Sequence, residues 1–404
     1  MTNTPQIRFK GNSHAWEQRK LGEVAEIIMG QSPDSKNYTN NPDDYILVQG
    51  NADMKNGKVV PRVWTTQITK TANKGDLILS VRAPVGDVGK TDYDVVLGRG
   101  VAAVKGNEFV FQTLTKMKMF GFWEKVSSGS TFESINSSDV KDAIIFVPTD
   151  IDEQTRIGTF FRTFDNTIAL YKRKLDGLRK LKKAYLQRMF PQTGESVPRL
   201  RFAGLEGEWV SRKLGETATY FTDGNYGESY PTAKDMATAV DGVPFLRGSD
   251  LKNGRLDSKK ATYISKKTHA ELTSGHIEYD DIVIAVRGSL GALGYADANC
   301  VGWNINSQLA ILRTDKAEIF GHFLIQFLLG TQGQRELESR ATGTALKQLP
   351  IKQLKDVPVP LTTLPEQTAI GEFFRSLDNQ IATQAEKLKQ AKRLKSAYLQ
   401  KMLV

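Results

Sequence analysis

An α+β architecture is what the sequence predicts: two mixed α/β domains, separated by two long helices packed as an antiparallel coiled coil, with internal pseudo-two-fold symmetry. Three observations carry that prediction. First, Trp16-Glu17-Gln18-Arg19-Lys20-Leu21-Gly22-Glu23 returns 193 positions later as Trp209-Val210-Ser211-Arg212-Lys213-Leu214-Gly215-Glu216, preceded in both copies by matched Arg8-Phe9 and Arg201-Phe202. Second, Glu153-Gln154-Thr155-x-Ile157-Gly158-x-Phe160-Phe161-Arg162 returns 213 positions later as Glu366-Gln367-Thr368-x-Ile370-Gly371-x-Phe373-Phe374-Arg375, and Ala184-Tyr185-Leu186-Gln187 returns at that same offset as Ala397-Tyr398-Leu399-Gln400. Third, the stretch after each Glu-Gln repeat carries apolar residues in alternating steps of four and three, the spacing of a helix–helix seam.

The elements run in chain order. Residues 1–150 form the first domain, with strand signals at Tyr45–Val48, Asp76–Val81 and Val101–Val104 and an amphipathic helix near Thr113–Val126. Residues 151–190 are a central helix with its seam on Ile157, Phe161, Phe164, Ile168, Tyr171, Leu175, Leu178, Tyr185 and Met189, interrupted by Lys182. It starts after Pro148 with an acidic turn, Asp152-Glu153, and stops at Pro191-Gln192-Thr193-Gly194. Residues 191–363 hold a linker and the second domain, with strands at Ile282–Val286 and Leu309–Leu312 and a helix near Phe320–Arg340. Residues 364–404 are the second long helix, with its seam on Ile370, Phe374, Leu377, Ile381, Leu388, Ala391, Tyr398 and Met402, interrupted by Gln384 and Lys395. Two matched seams in one chain are satisfied if they pack on each other; the alternative is that each helix folds back on its own domain. At 1.5 Å per residue, a helix of about 37 residues is roughly 55 Å long. Shared turns tie the two domains to one scaffold: Gly50-x-x-Asp53 echoes Gly248-x-Asp250, Val81-Arg82 echoes Val286-Arg287, and Ser128-Gly129-Ser130 echoes Thr342-Gly343-Thr344. Most of the sequence between these echoes differs.

Composition narrows the function. A chain of 404 residues, 40% hydrophobic and 25% charged, is long enough for two cores. One cysteine, Cys300, excludes a disulfide framework, and no stretch has the length of a signal core or a membrane span, so a cytoplasmic protein is expected. The net charge of +10 is concentrated: residues 170–190 carry +7 and residues 385–404 carry +5, leaving about −2 elsewhere. A solvated helix face explains one such run, but its recurrence at the same place in both halves points to a polyanion. Catalytic signatures are missing. Gly86-Asp87-Val88-Gly89-Lys90-Thr91 has two residues between glycines where a phosphate loop needs four, and its counterpart at Gly291 loses Lys and Thr. Asn41-Pro42-Asp43-Asp44-Tyr45 lacks the second proline of an amino-methyltransferase loop. His14, His269, His276 and His322 have no paired spacing for a metal or a catalytic dyad.

The paired Trp-x-x-Arg-Lys-Leu-Gly-Glu starts, the paired Glu-Gln-x-x-Ile-Gly-x-Phe-Phe helices and the paired ends Lys183-Ala184-Tyr185-Leu186-Gln187-Arg188-Met189 and Ser396-Ala397-Tyr398-Leu399-Gln400-Lys401-Met402 together resemble the specificity subunit of type I restriction–modification systems over almost the full length. That resemblance implies two target recognition domains, each reading one half of a bipartite, asymmetric DNA target, with the paired helices as spacer. It also implies two methyltransferase subunits that bring S-adenosylmethionine and methylate adenine, and two restriction (motor-nuclease) subunits that use ATP and magnesium. No cofactor, metal or catalysis is expected in this chain. A stand-alone duplicated DNA-binding regulator, without methyltransferase partners, is the alternative; a fused methyltransferase or nuclease is disfavoured by the missing motifs.

Base edges are read by Arg, Asn and Gln, while phosphate contacts position the protein. The candidate DNA-binding residues are therefore loop residues of these types beside aromatics: Gln31, Ser32, Tyr38, Gln49, Asn51, Ser130 and Thr131 in the first domain, and Asn225, Tyr226, Tyr230, Arg247, Ser249, Thr344 and Lys347 in the second. Arg82 and Arg287, common to both domains, suit a phosphate or a shared element better than a base. Lys180, Lys182, Lys183, Lys392, Arg393 and Lys395 form the basic faces of the spacer helices, and Phe160, Leu181, Phe373 and Leu394, left over from the seam, are candidates for docking partner subunits.

Overall fold

A computed structural model describes residues 3–128, 133–344 and 346–404. They divide into two compact units, Met1–Lys174 with Gln384–Val404, and Leu175–Thr383.

In the first unit a six-stranded sheet runs in the order Glu26–Met29, Val101–Lys105, Leu77–Ser80, Val88–Lys90, Lys58–Val59, Met54–Lys55. The central strands are buried on both faces, so their alternate residues serve two cores. Leu77, Leu79, Ala102 and Val104 face a core shared with the helices, whereas Ile78, Val101 and Ala103 face Val48, Val95 and Leu97 of a five-stranded sheet. The second unit repeats the six-stranded order with Tyr220–Asp223, Leu309–Arg313, Ile282–Ala285, Leu293–Tyr295, Gly254–Leu256, Leu251–Lys252. It repeats the division of faces too: Ile282 and Ile284 on the helical side, Val283 and Ala285 on the other. The second sheet is here reduced to three strands, Thr262–Ser265, Gly242–Leu246 and Asn304–Ile305. The sequence-predicted helices each break in two. Glu108–Met119, capped by the Asn107 side chain, ends before Gly121, whose φ of 71° is left-handed, and Phe122–Val126 comes next. Gly321–Leu329 and Thr331–Ser339 are likewise divided at Gly330.

The repeated Trp motif closes each domain. Trp16 and Trp209 are buried, with Trp16 edge-on to Phe109 at 5.6 Å and Trp209 tilted against Phe323 at 5.6 Å. The next residues form a strand paired antiparallel with the strand that leads into the long helix, Lys20 opposite Ile144 and Lys213 opposite Pro358. Leu21 and Leu214 are fully buried, and Glu23 and Glu216 accept the amides of Lys20 and Lys213 at 3.3 and 3.1 Å. The phosphate-loop look-alike is a turn and a strand: Gly86 has φ 85°, a Cβ there would lie 2.2 Å from the Trp123 ring, and Val88–Lys90 is a strand.

The repeated Glu-Gln motif is a joint between domain and helix. Glu153, 1% exposed, takes Arg8 bidentately at 2.6 and 2.7 Å, and Glu366 takes Arg201 in the same way at 2.6 and 2.7 Å. Gln154 donates to the Pro148 carbonyl at 3.0 Å and accepts Asn107 at 2.9 Å, while Gln367 donates to the carbonyls of Thr362 and Glu318 at 2.8 and 3.1 Å. The glycine allows close approach: a Cβ on Gly158 would lie 2.8 Å from Glu108 Cβ, and one on Gly371 2.7 Å from the Phe320 ring. Ile157, Phe161, Ile370 and Phe374 enter the domain cores.

The long helices are Ile151–Arg188 and Leu364–Met402, 38 and 39 residues. The two helices pack on each other as the sequence predicts: each unit contains the start of one helix packed antiparallel against the end of the other, with the first turns of each helix also entering the core of its own domain. In the first unit Phe160 meets Tyr398 at 5.3 Å and Gln384 donates to the Tyr171 carbonyl at 3.2 Å. In the second, Tyr185 meets Phe373 at 5.0 Å. Of the polar interruptions of the seams, Gln384 makes the bond to Tyr171 and the two lysines form ion pairs. Lys395, 9% exposed, binds Asp165 at 2.6 Å, and Lys182 binds Asp378 at 2.7 Å. Gln112 donates to Asp165 at 2.8 Å and Gln326 to Asp378 at 3.0 Å, so each pair is also tied to a helix of the adjoining domain. Asp165 and Asp378, like Lys182 and Lys395, are 213 apart, so one network is built twice.

Candidate nucleic-acid interface

In the first unit, Gln31, Ser32 and Gln49 gather around the turn Gly98–Val101. Gln31 is exposed and its carbonyl accepts Thr69 Oγ1 at 2.5 Å; Ser32 Oγ accepts the Arg99 amide at 3.1 Å. The amides of Gln49 and Gly50 both donate to the buried Asp53 carboxylate, at 2.7 and 3.3 Å, which shapes the one-turn helix Asn51–Asp53 and leaves Asn51 half-buried. Tyr38 is half-buried in a strand paired with Val63–Thr65. Arg82 is exposed and its backbone bridges Ser134. Ser130 and Thr131 lie outside the described residues.

The second unit presents a corresponding edge. Asn225 is buried at 6%; its amide donates to the Ser274 carbonyl at 2.9 Å and its oxygen accepts the Thr273 hydroxyl at 3.1 Å. With its donors and acceptor used inside the domain, it fixes a loop rather than offering a base contact. Tyr230 packs on Phe245 at 5.8 Å in a small core and is likewise a scaffold residue. Tyr226 remains exposed, its phenol donating to the Ser307 carbonyl at 3.0 Å. Partial desolvation, and then the nearby Asp223 charge, raises the pKa of that phenol. The Arg287 guanidinium lies 5.4 Å over the Tyr226 ring and donates through Nε to Gln348 Oε1 at 3.2 Å, so an exposed arginine is held ready between two partners. Its backbone bridges Gln348 as that of Arg82 bridges Ser134. Arg247 donates its amide to the buried Asp250 at 2.9 Å, the counterpart of Gln49 on Asp53, and its guanidinium reaches the Lys260 carbonyl at 3.3 Å. Ser249, Thr344 and Lys347 are exposed.

On the long helices Lys180, Lys183, Lys392 and Arg393 are exposed and make no ion pair among the described residues. Lys182 and Lys395 do not belong with them, because the seam consumes both charges. The apolar candidates also divide. Leu181 and Leu394 are 44% and 51% exposed. Phe160 is enclosed by Phe9, Phe161, Phe164 and Tyr398, and Phe373 by Tyr185, Phe202 and Phe374, so the arm before each Trp motif covers the phenylalanine that the sequence suggests for docking.

Two histidines that look unrelated in sequence meet in space: His269 lies edge-on to His276 at 4.5 Å, and His276 Nε2 contacts the Leu272 carbonyl at 2.9 Å. Among the described residues no group of three or more His, Cys, Asp or Glu could hold a metal, and no helix is long and apolar enough to cross a membrane. His322 stacks on Tyr295 at 3.7 Å, and burial, then the nearby Arg375 charge, pushes its pKa down to about 4. A histidine neutral in the fold but free to protonate near pH 6.5 when unfolded supports the native state fully above that pH and loses the contribution as pH falls toward 4. Unfolding of the second unit should therefore become easier by on the order of 1–2 kcal/mol between pH 6.5 and 5. His322→Gln should flatten that part of the pH profile in denaturant titrations, leaving the opposite trend of the buried Asp280, whose carboxyl pKa is raised by burial.

The profile of the Type I restriction modification DNA specificity domain matches twice, over residues 14–180 and again over 206–393. The chain belongs to this family. Among curated relatives, a putative type I restriction enzyme specificity subunit, MjaX, from Methanocaldococcus jannaschii is 32% identical over 176 residues, a match that spans 42% of this chain and 41% of that protein. The MjaVIII specificity subunit of the same organism is 20% identical over 404 residues, covering 96% of this chain and 92% of that protein. Among solved structures, the S subunit of a type I restriction–modification system from M. genitalium shares the fold with a TM-score of 0.70, 18% identity and 99% of each chain covered. As a type I specificity subunit, this chain is the non-catalytic component, and the stand-alone regulator is not the favoured reading. The specificity-subunit motifs that announce the family in the sequence are joints and closures in the structure. Beside the candidates that the sequence supplies, the same turns also carry Arg99, Ser307 and Gln308, with Arg99 and Gln308 exposed and Arg99 standing between two glycines in Gly98-Arg99-Gly100.

Proposed function

We propose that residues 1–150 and 191–363 each read one half of a bipartite, asymmetric double-stranded DNA target, and that the helices at 151–190 and 364–404 set the unread spacing between the halves. The observation that carries this reading is the pair of matched six-stranded sheets whose edges hold different side chains on equivalent backbone, joined to helices of 38 and 39 residues. Equal spacers with unequal readers suit two unlike half-sites and two copies of one partner. In the cytoplasm, two methyltransferase subunits supplied with S-adenosylmethionine would methylate adenine at the site, and two restriction subunits would use ATP and magnesium. Leu181 and Leu394, matched and exposed, suit docking of the methyltransferase pair. Mapping methylated adenines in cells that carry this chain with its methyltransferase partner should give two unlike half-sites at constant spacing. A palindrome or an uninterrupted motif would contradict the reading.

Lys180, Lys183, Lys392 and Arg393 are assigned to phosphates of the unread spacer. Replacing all four with alanine should lower the slope of log affinity against log salt by about 0.9 for each phosphate no longer neutralised, while the methylated sequence stays the same. A changed sequence in that variant would remove these residues from the spacer.

A further inference from the structure

The reading edges of the two domains share one hydrogen-bond pattern down to single residues. Gly98 donates its amide to the Val48 carbonyl at 2.7 Å, and Asn306 donates to Leu246 at 2.9 Å. Val81 donates to the Gly100 carbonyl at 2.9 Å, and Val286 donates to Gln308 at 2.9 Å. These bonds make Arg99 equivalent to Ser307, Gly100 to Gln308, and Gln49 to Arg247. Close packing fixes the backbone: a Cβ on Gly30 would lie 2.1 Å from the Gly98 carbonyl oxygen, one on its counterpart Gly224 2.3 Å from the Asn306 carbonyl, and one on Gly100 2.1 Å from the Gln49 carbonyl oxygen.

A position that discriminates between two DNA sequences needs a rigid backbone, an exposed side chain and different chemistry in the two readers. Arg99 and Gln308 meet all three conditions. Arg99 is exposed and its guanidinium makes no ion pair or hydrogen bond among the described residues. Gln308 is exposed, with its side-chain oxygen 3.5 Å from the buried Asn306 amide. Arg82 and Arg287 flank the same turns in both domains and suit phosphate anchors, since a residue common to both cannot tell the half-sites apart. Resting on the bipartite reading above, we infer that Arg99 and Gln308 are specificity-determining residues, Arg99 reading a guanine in the first half-site through a bidentate contact and Gln308 an adenine in the second.

The test uses the full chain with its methyltransferase partner. Methylated adenines are mapped in cells carrying the parent, Arg99→Gln, Arg99→Lys or Gln308→Arg, and binding is measured on a duplex with the parent's mapped site and on an unrelated duplex. Arg99→Gln should alter or relax one guanine of the first half-site, leave the second half and the spacing unchanged, and weaken binding to the parent site about 5- to 150-fold. Arg99→Lys, which keeps the charge but loses the planar fork, should relax that position while binding to the unrelated duplex stays at the parent level. Gln308→Arg should change one adenine of the second half-site only. Unchanged half-sites in all three variants, or an equal loss on both duplexes that marks a phosphate contact, would overturn the inference while the parent's bipartite pattern still stands. A parent that methylates no bipartite site would instead overturn the reading on which it rests.

Discussion

Arg201→Ala is expected to destabilise the second unit by about 3–5 kcal/mol, the range for stripping one partner from a buried ion pair. Glu366 is 1% exposed, and Arg201 supplies both of its bidentate bonds. The same guanidinium also donates to the carbonyls of Gly207 and Glu206 at 2.7 Å each, so its loss frees the arm ahead of Trp209 as well. The denaturant midpoint of the second unit should fall, and amide exchange should rise over the first turns of the helix that starts at Leu364. Replacing both members by apolar residues, Arg201→Met with Glu366→Leu, should recover most of the loss, because no buried charge is then left unpaired. Arg8→Ala should act in the same way on the first unit, through Glu153. If Arg201→Ala left both stability and exchange at the parental level, the joint between arm, domain and helix would be misassigned.

Phe190→Ala is the second large effect, expected at about 3–5 kcal/mol in the second unit. The ring is buried among Trp209 at 6.0 Å, Phe323 at 5.2 Å, Phe327 at 5.7 Å and Phe374 at 6.3 Å. Truncation opens a cavity between rigid aromatic neighbours that have little freedom to collapse, which places the cost high in its range. It should appear as a lowered midpoint with an unchanged denaturant slope. Leu403, which occupies the corresponding position 213 residues on and is buried with Leu399 and Met402 in the first unit, should cost about 2–5 kcal/mol on truncation.

Much of the scaffold is legible before any coordinates, because duplication and helical periodicity are properties of neighbours in the chain. Every predicted seam position from Ile157 to Met189 is buried or half-buried, and the strands Ile282–Ala285 and Leu309–Arg313 fall on the apolar runs that predict them. The features that escape are decided by partners far along the chain. Lys182 and Lys395 look like basic surface until Asp378 and Asp165, 196 and 230 residues away, reach them. Asn225 looks like a reader until Thr273 and Ser274, 48 and 49 residues on, take its amide. Phe190 looks like the edge of a breaker cluster, since nothing local shows the four rings around it. Arg99 is the reverse case: nothing in its own stretch of sequence shows that it stands exposed on a turn. The turn that exposes Arg99 is set by strands 50 residues apart, Val48 and Gly98.

Each domain is proposed to read one half-site. That assignment is tested most directly by replacing residues 16–148 with the corresponding segment of another type I specificity subunit and mapping methylated adenines in cells that also carry the methyltransferase partner. The expected map has a new first half-site taken from the donor, with the second half-site and the spacing of the parent. A map in which both half-sites change, or in which the first half-site stays as it was, would show that one domain does not read one half-site.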